Sequence, residues 1–126
     1  MSEPALAILL ISGTHERAQY ALALAAGAAA LGRRVVIFAT NGGCHALAED
    51  WSGLTDAGRD GTLRALGLAG IDDLRDACHD LDVTFLACAA GLKAESLPAS
   101  RLIPQARVSG IAEFLAESLG AQMISL

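Results

Sequence analysis

Apolar residues recur along this chain in two patterns: unbroken runs of strand length, and longer stretches whose apolar positions repeat three and four residues apart. The first run, Ala5 to Ile11, passes directly into Ser12-Gly13. A run apolar on both faces fits a parallel strand covered by helices on each side. Thr14, followed by Glu16 and Arg17, opens a helix predicted to end near Gly32. From Ala18 to Leu31 that helix has no charged residue, and its polar groups are Gln19 and the Tyr20 hydroxyl. A helix apolar all round needs cover on more than one side. One sheet face cannot supply it, so the pattern implies a second subunit or a helix sandwiched inside the same chain.

Arg34 to Ala39 is the second strand, with Thr40-Asn41-Gly42-Gly43 as its carboxyl-end loop and one or two helical turns over Cys44 to Glu49. From Asp50 to Gly70 the pattern weakens into recurring glycines among Asp, Arg and Thr, which reads as a flap or as a variable surface connection. Ile71, Leu74, Cys78 and Leu81 share a face, which predicts an amphipathic helix over Ile71 to Leu81. Its Asp72, Asp73, Arg75, Asp76 and Asp80 then face solvent. Val83 to Cys88 is a strand that becomes an Ala/Leu helix. Pro98 and Pro104 bracket a loop, Arg107 to Gly110 is a very short strand or turn, a helix runs from Ile111 to Leu119, and a last strand from Gln122 to Leu126. Alternating strands and helices predict an α/β fold: a single three-layer α/β/α domain over residues 1–126, with a mostly parallel sheet of about five strands.

Composition narrows the function. Nine Lys and Arg against fourteen Asp and Glu give 9 − 14 = −5, which argues against direct nucleic-acid binding and against an anionic membrane surface. The start, Met-Ser-Glu-Pro, has an acid where an export signal is basic, and Ala21 to Leu31 is too short to span a bilayer. Three cysteines, an odd number, suit a reducing compartment, so the cytoplasm is the expected location. No glycine-rich phosphate loop or serine nucleophile elbow is present. Asp56 to Gly67 imitates a calcium loop but has Gly67 where the bidentate glutamate belongs. Cys44-His45 and Cys78-His79 are adjacent pairs, which diverge by about 100° on a helix and cannot both face one zinc ion. No metal or organic cofactor is expected.

Cys88 is the candidate centre, because ligands of open α/β sheets bind at the carboxyl ends of strands. Free N–H groups and a partial positive charge at the start of the following helix favour the nucleophilic thiolate. The bland alternative is a small apolar residue filling a strand end. His15 and Asn41 lie on carboxyl-end loops that could approach the cysteine, and each could equally cap a helix or satisfy a turn.

Four segments, Leu31-Gly32-Arg33-Arg34-Val35, Val36-Ile37-Phe38-Ala39, Phe85-Leu86-Ala87-Cys88-Ala89-Ala90-Gly91-Leu92 and Arg107-Val108-Ser109-Gly110-Ile111, resemble the DsrE/DsrF-like sulfur-relay family. That family includes the small sulfurtransferase subunits of the tRNA 2-thiouridylation relay. The resemblance spans nearly the whole chain, as a single DsrE-like domain. It implies that Cys88 accepts a sulfur atom as a persulfide and passes it on, within a homo-oligomer (dimer, trimer or hexamer) that meets sulfur-donor and sulfur-acceptor proteins. Relay subunits often carry a basic residue and a glycine after the cysteine helix; here Lys93 is present, followed by Ala94 and Glu95. Lys93 joins His15 and Asn41 as a candidate substrate-binding residue. Rival readings are an oligomeric small-molecule-binding or scaffold module with inert cysteines, and a thiol redox protein pairing Cys88 with Cys44 or Cys78.

Overall fold

A computed structural model describes residues 3–126 of the chain; Met1 and Ser2, part of the leading segment read above, lie outside them. The elements are β1 (Leu6–Leu10), α1 (His15–Ala30), β2 (Val35–Ala39), α2 (Arg59–Ala65), α3 (Ile71–Asp80), β3 (Thr84–Cys88), α4 (Ala89–Ala94), β4 (Ala106–Ser109), α5 (Ile111–Glu117) and β5 (Gln122–Ser125). Short 3-10 turns occupy Asn41–Leu47, Trp51–Gly53 and Ala99–Arg101. The strands form one sheet in the order β4-β3-β2-β1-β5, and every pairing is parallel. This is the three-layer α/β/α arrangement expected from the alternation of elements.

Strand order decides which helix covers which face. Successive connections from β1 to β4 step one way across the sheet, and right-handed crossovers therefore stack them on a single face. That face holds Leu6, Ile8, Ile37 and Phe85 against Leu22 and Ala25 of α1, Ile71 and Cys78 of α3, and Leu92 of α4. The last connection runs back from β4 to β5 and has to cross the other face. There Ala7, Val36, Phe38, Leu86 and Cys88 pack under Phe114 of α5. Phe38 and Phe114 stack with centroids 4.6 Å apart, a pair worth about 0.5–1.5 kcal/mol beyond the area it buries.

α1 starts at Thr14, whose hydroxyl accepts the Arg17 N–H at 3.3 Å. It ends at Leu31 and Gly32, which turns the chain at φ +86. Its buried side is His15, Ala18, Ala21, Leu22, Ala25 and Ala28; small alanines bring the helix backbone close to the sheet and to α3. The remaining uncharged side stays open. Tyr20 and Leu31 are exposed, and Tyr20, Ala23, Leu24, Gly27 and Leu31 border a groove of about 380 Å³ against Ile124 of β5.

Two expectations need correcting. The segment Asp50 to Gly70 is not wholly irregular, since it contains α2. Its one inward polar residue, Asp60, is buried and held by groups distant in sequence. Arg75 does not face solvent. Its guanidinium is buried and donates to the carbonyls of Ala46 at 3.2 Å, Ala48 at 2.5 Å and Glu49 at 3.4 Å. These carbonyls lie at and just after the end of the 3-10 turn Asn41–Leu47 and need donors.

Candidate functional site

The connection leaving β3 enters α4 on the α1 side, while that leaving β4 enters α5 on the opposite side. Neighbouring strands whose connections part in this way open a crevice at their carboxyl ends, the usual ligand position of open α/β sheets. Cys88 ends β3 and Ser109 ends β4, and the two are paired in register. Side chains alternate along a strand, so Thr84, Leu86 and Cys88 point to the α5 side and Phe85 and Ala87 to the α1 side. Cys88 is 8% exposed. It is the N-cap of α4, and its Sγ accepts the Gly91 N–H at 3.4 Å.

Gly91 closes the other wall. A Cβ there would lie 2.5 Å from the Asn41 nitrogen and 2.7 Å from Thr40 Oγ1, so only glycine lets α4 lie directly on the end of β2. Asn41 is exposed, takes φ 49, and donates through Nδ2 to Thr40 Oγ1 at 3.4 Å. It therefore stands beside the first turn after Cys88. Lys93, exposed, follows one turn along α4. His15 is placed differently. Its ring is fully buried, with Nε2 2.7 Å from Asp60 Oδ1 and its centroid 6.0 Å from that of Trp51. Asp60 Oδ1 also accepts the Ile71 N–H at 2.8 Å, so the pair ties α1, α2 and the start of α3 together.

The other two thiols differ from Cys88 in surroundings. Cys44 is fully buried on the α1 side of the sheet and donates to the Ala39 carbonyl at 3.5 Å. Burial first, then negative charge at Cys88 and Glu95, pushes it up to about 12. Cys78 donates to the Leu22 carbonyl at 3.5 Å, and burial pushes it up to about 12. All three cysteines are free; Cys44 packs in the α1-side core with its thiol near the Cys88 backbone, and the Cys88 side chain packs in the α5-side core.

Reading the sequence for chemistry missed Ser109, buried opposite Cys88 with its hydroxyl donating to the Gly110 carbonyl at 3.1 Å. It also missed the contact of His45 Nε2 with Glu95 Oε1 at 3.0 Å, which ties the end of α4 to the 3-10 turn Asn41–Leu47. Both depend on residues far apart in sequence, and no local pattern signals them. Among the described residues no three His, Cys, Asp or Glu side chains gather as metal ligands, and no helix is long and apolar enough to cross a membrane.

No family model matches the chain, and no curated protein matches it. Solved structures do. The crystal structure of the ychN protein from E. coli matches 98% of this chain and 100% of its own, at TM-score 0.69 and 11% identity. A protein of unknown function from Methanobacterium thermoautotrophicum, MTH1491, matches 98% of this chain and 100% of its own, at TM-score 0.58 and 18% identity. The likeness is one of fold. At such identities side chains are free to differ, and a shared fold carries no shared chemistry.

Proposed function

We propose that the protein is a sulfur carrier or sulfurtransferase in which Cys88 holds the travelling sulfur atom. The observation that carries this reading is the position of Cys88 at the paired carboxyl ends of β3 and β4, with the Gly91 N–H directed at its sulfur. In the first half-reaction the Cys88 thiolate attacks the terminal sulfur of a donor persulfide. The donor's S–S bond breaks, the donor leaves as a thiolate with the electron pair, and Cys88 becomes a persulfide. In the second half an acceptor thiolate attacks the outer sulfur and Cys88 leaves as the thiolate. No net oxidation occurs, and no cofactor takes part. Incubation with a persulfide donor, alkylation and peptide mapping should find one added sulfur at Cys88. Cys88→Ser should abolish it with little change in stability. Equal resistance of native Cys88 and Cys78 to alkylation would end the carrier reading.

A second reading, a binding or scaffold module with inert cysteines, is favoured by the small exposure of Cys88. The thiol redox reading pairs Cys88 with Cys44, whose thiol comes near the Cys88 backbone, and a Cys44–Cys88 link in a non-reducing mass spectrum of peroxide-treated protein would favour it. We place the carrier in the cytoplasm, where three free thiols persist, as a homo-oligomer meeting donor and acceptor proteins. The uncharged outer side of α1 is its assembly face. Because Tyr20 and Leu31 are exposed, Tyr20→Glu with Leu31→Glu should lower the sedimentation coefficient without unfolding the chain.

A further inference from the structure

β4 is an edge strand. Among the described residues, Arg107, Val108 and Ser109 make no backbone hydrogen bond outside their pairing with β3. The outer edge of β4 is thus a row of free N–H and C=O groups, the standard template for an added strand. Below that edge, on the α4 side, runs a trough of about 590 Å³ bordered by Ala89, Leu92, Lys93, Leu97, Pro98 and Val108. Ala89, which directly follows Cys88, lines the trough, while the Cys88 thiol lies on the α5 side of the sheet, around the carboxyl end of β3. It is apolar apart from Ser96 and one cation. That cation, Lys93, is the sole lysine of a chain of net charge −5, and among the described residues it pairs with no carboxylate.

We propose that the free edge of β4 and the trough beneath it form a docking strip for an extended segment of the sulfur-exchanging partner, apolar at alternate positions and bearing a carboxylate for Lys93. The identity of that partner rests on the carrier reading. An extended segment fits better than a small molecule. The trough is open along its length and cannot enclose most of a small ligand's surface, as small-molecule sites do. The strand edge offers backbone pairing that only a chain can use. A second copy fits less well, since neither of its edge strands, Ala106–Ser109 or Gln122–Ser125, carries an acidic side chain. An added strand lies about 4.8 Å from β4 and so about 10 Å from β3. The segment therefore reaches Cys88 by turning inward past Ser109.

The test uses a fluorescent, C-terminally amidated peptide of alternating valine and threonine that ends in glutamate, and the full chain. Carbodiimide coupling should join the peptide carboxylate to Lys93, the sole lysine, which peptide mapping distinguishes from coupling to the α-amino group. Glutamine for the peptide's glutamate, N-methylation of its alternate amides, and Lys93→Glu should each weaken binding roughly tenfold or more. Absence of binding by the parent peptide, an adduct away from Lys93, or equal binding of the N-methylated peptide would overturn the proposal. So would a change in self-association on Lys93→Glu, which would mean that a second copy covers the strip. If Cys88 loads from a small persulfide donor while the peptide fails to dock, the strip falls and the carrier stands. If the peptide docks and Cys88 takes no sulfur, the reverse holds.

Discussion

Gly91→Ala and Gly27→Ala make the same chemical change in two helices, and the structure assigns them opposite signs. In an open helix the change stabilises by about 0.5–1 kcal/mol, because alanine loses less backbone freedom on folding. Gly27 sits in the interior of α1 with nothing of its own chain within 4 Å of its added methyl, so the full gain is expected for the dissociated subunit, which the Tyr20→Glu, Leu31→Glu background supplies. Gly91 sits in the first turn of α4, and its methyl would meet the Asn41 nitrogen at 2.5 Å, Thr40 Oγ1 at 2.7 Å and Thr40 Cα at 3.0 Å. Two of these are backbone atoms, which give way only if α4 or the end of β2 moves. Overpacking of this kind costs about 1–3 kcal/mol. Less the propensity gain, a net loss of up to about 2.5 kcal/mol is expected. The same movement draws the Gly91 N–H away from Cys88 Sγ, so the alkylation rate of Cys88 should change in Gly91→Ala and not in Gly27→Ala. Urea midpoints at matched m-values measure the first effect, and timed alkylation the second. A Gly91→Ala protein as stable as the parent, with Cys88 reacting at the parental rate, would show that α4 does not rest on β2 as described.

Arg75→Met keeps an unbranched stem close to that of the arginine but removes the guanidinium and its donors to Ala46, Ala48 and Glu49. It should cost about 1–3 kcal/mol for carbonyls left unpaired, read as a lower urea midpoint. The thiols give an alkaline signature. With Cys44 and Cys78 pushed from 9.0 to about 12 in the fold, the native state keeps protons that the unfolded chain releases above about pH 9. Their contribution is complete below that pH and is lost as pH rises from about 9 to 12, by up to about 1.4 kcal/mol per pH unit for each thiol. Cys78→Ala should flatten the fall in urea midpoint between about pH 9 and 11 by roughly half relative to the parent. At neutral pH, Cys44 and Cys78 should resist alkylation until the chain unfolds.

Elements whose cause is local were legible in the sequence. The runs Leu6–Leu10, Val35–Ala39 and Thr84–Cys88 read as strands because parallel strands buried on both faces must be apolar throughout. α1 and α3 read as helices because Thr14 caps one and the spacing of Ile71, Leu74 and Cys78 marks the other. Even the position of Cys88 at a strand end came from the change of pattern there. What the tertiary structure decided concerns pairs of residues that no window contains. α2 escaped notice because Asp60 is satisfied by His15 and Ile71, far from it along the chain. Arg75 resembled a solvent charge because the carbonyls it serves belong to another element. His15 stands at a carboxyl-end loop in sequence, yet in the fold it turns away into a buried pair with Asp60. The carboxyl ends of β3 and β4 become neighbours, with connections leaving for opposite faces, only in the packed sheet. Sequence alternation predicts strands without their order, since many orders satisfy the same apolar pattern. Only the packed sheet sets Ser109 beside Cys88 and leaves the outer edge of β4 free.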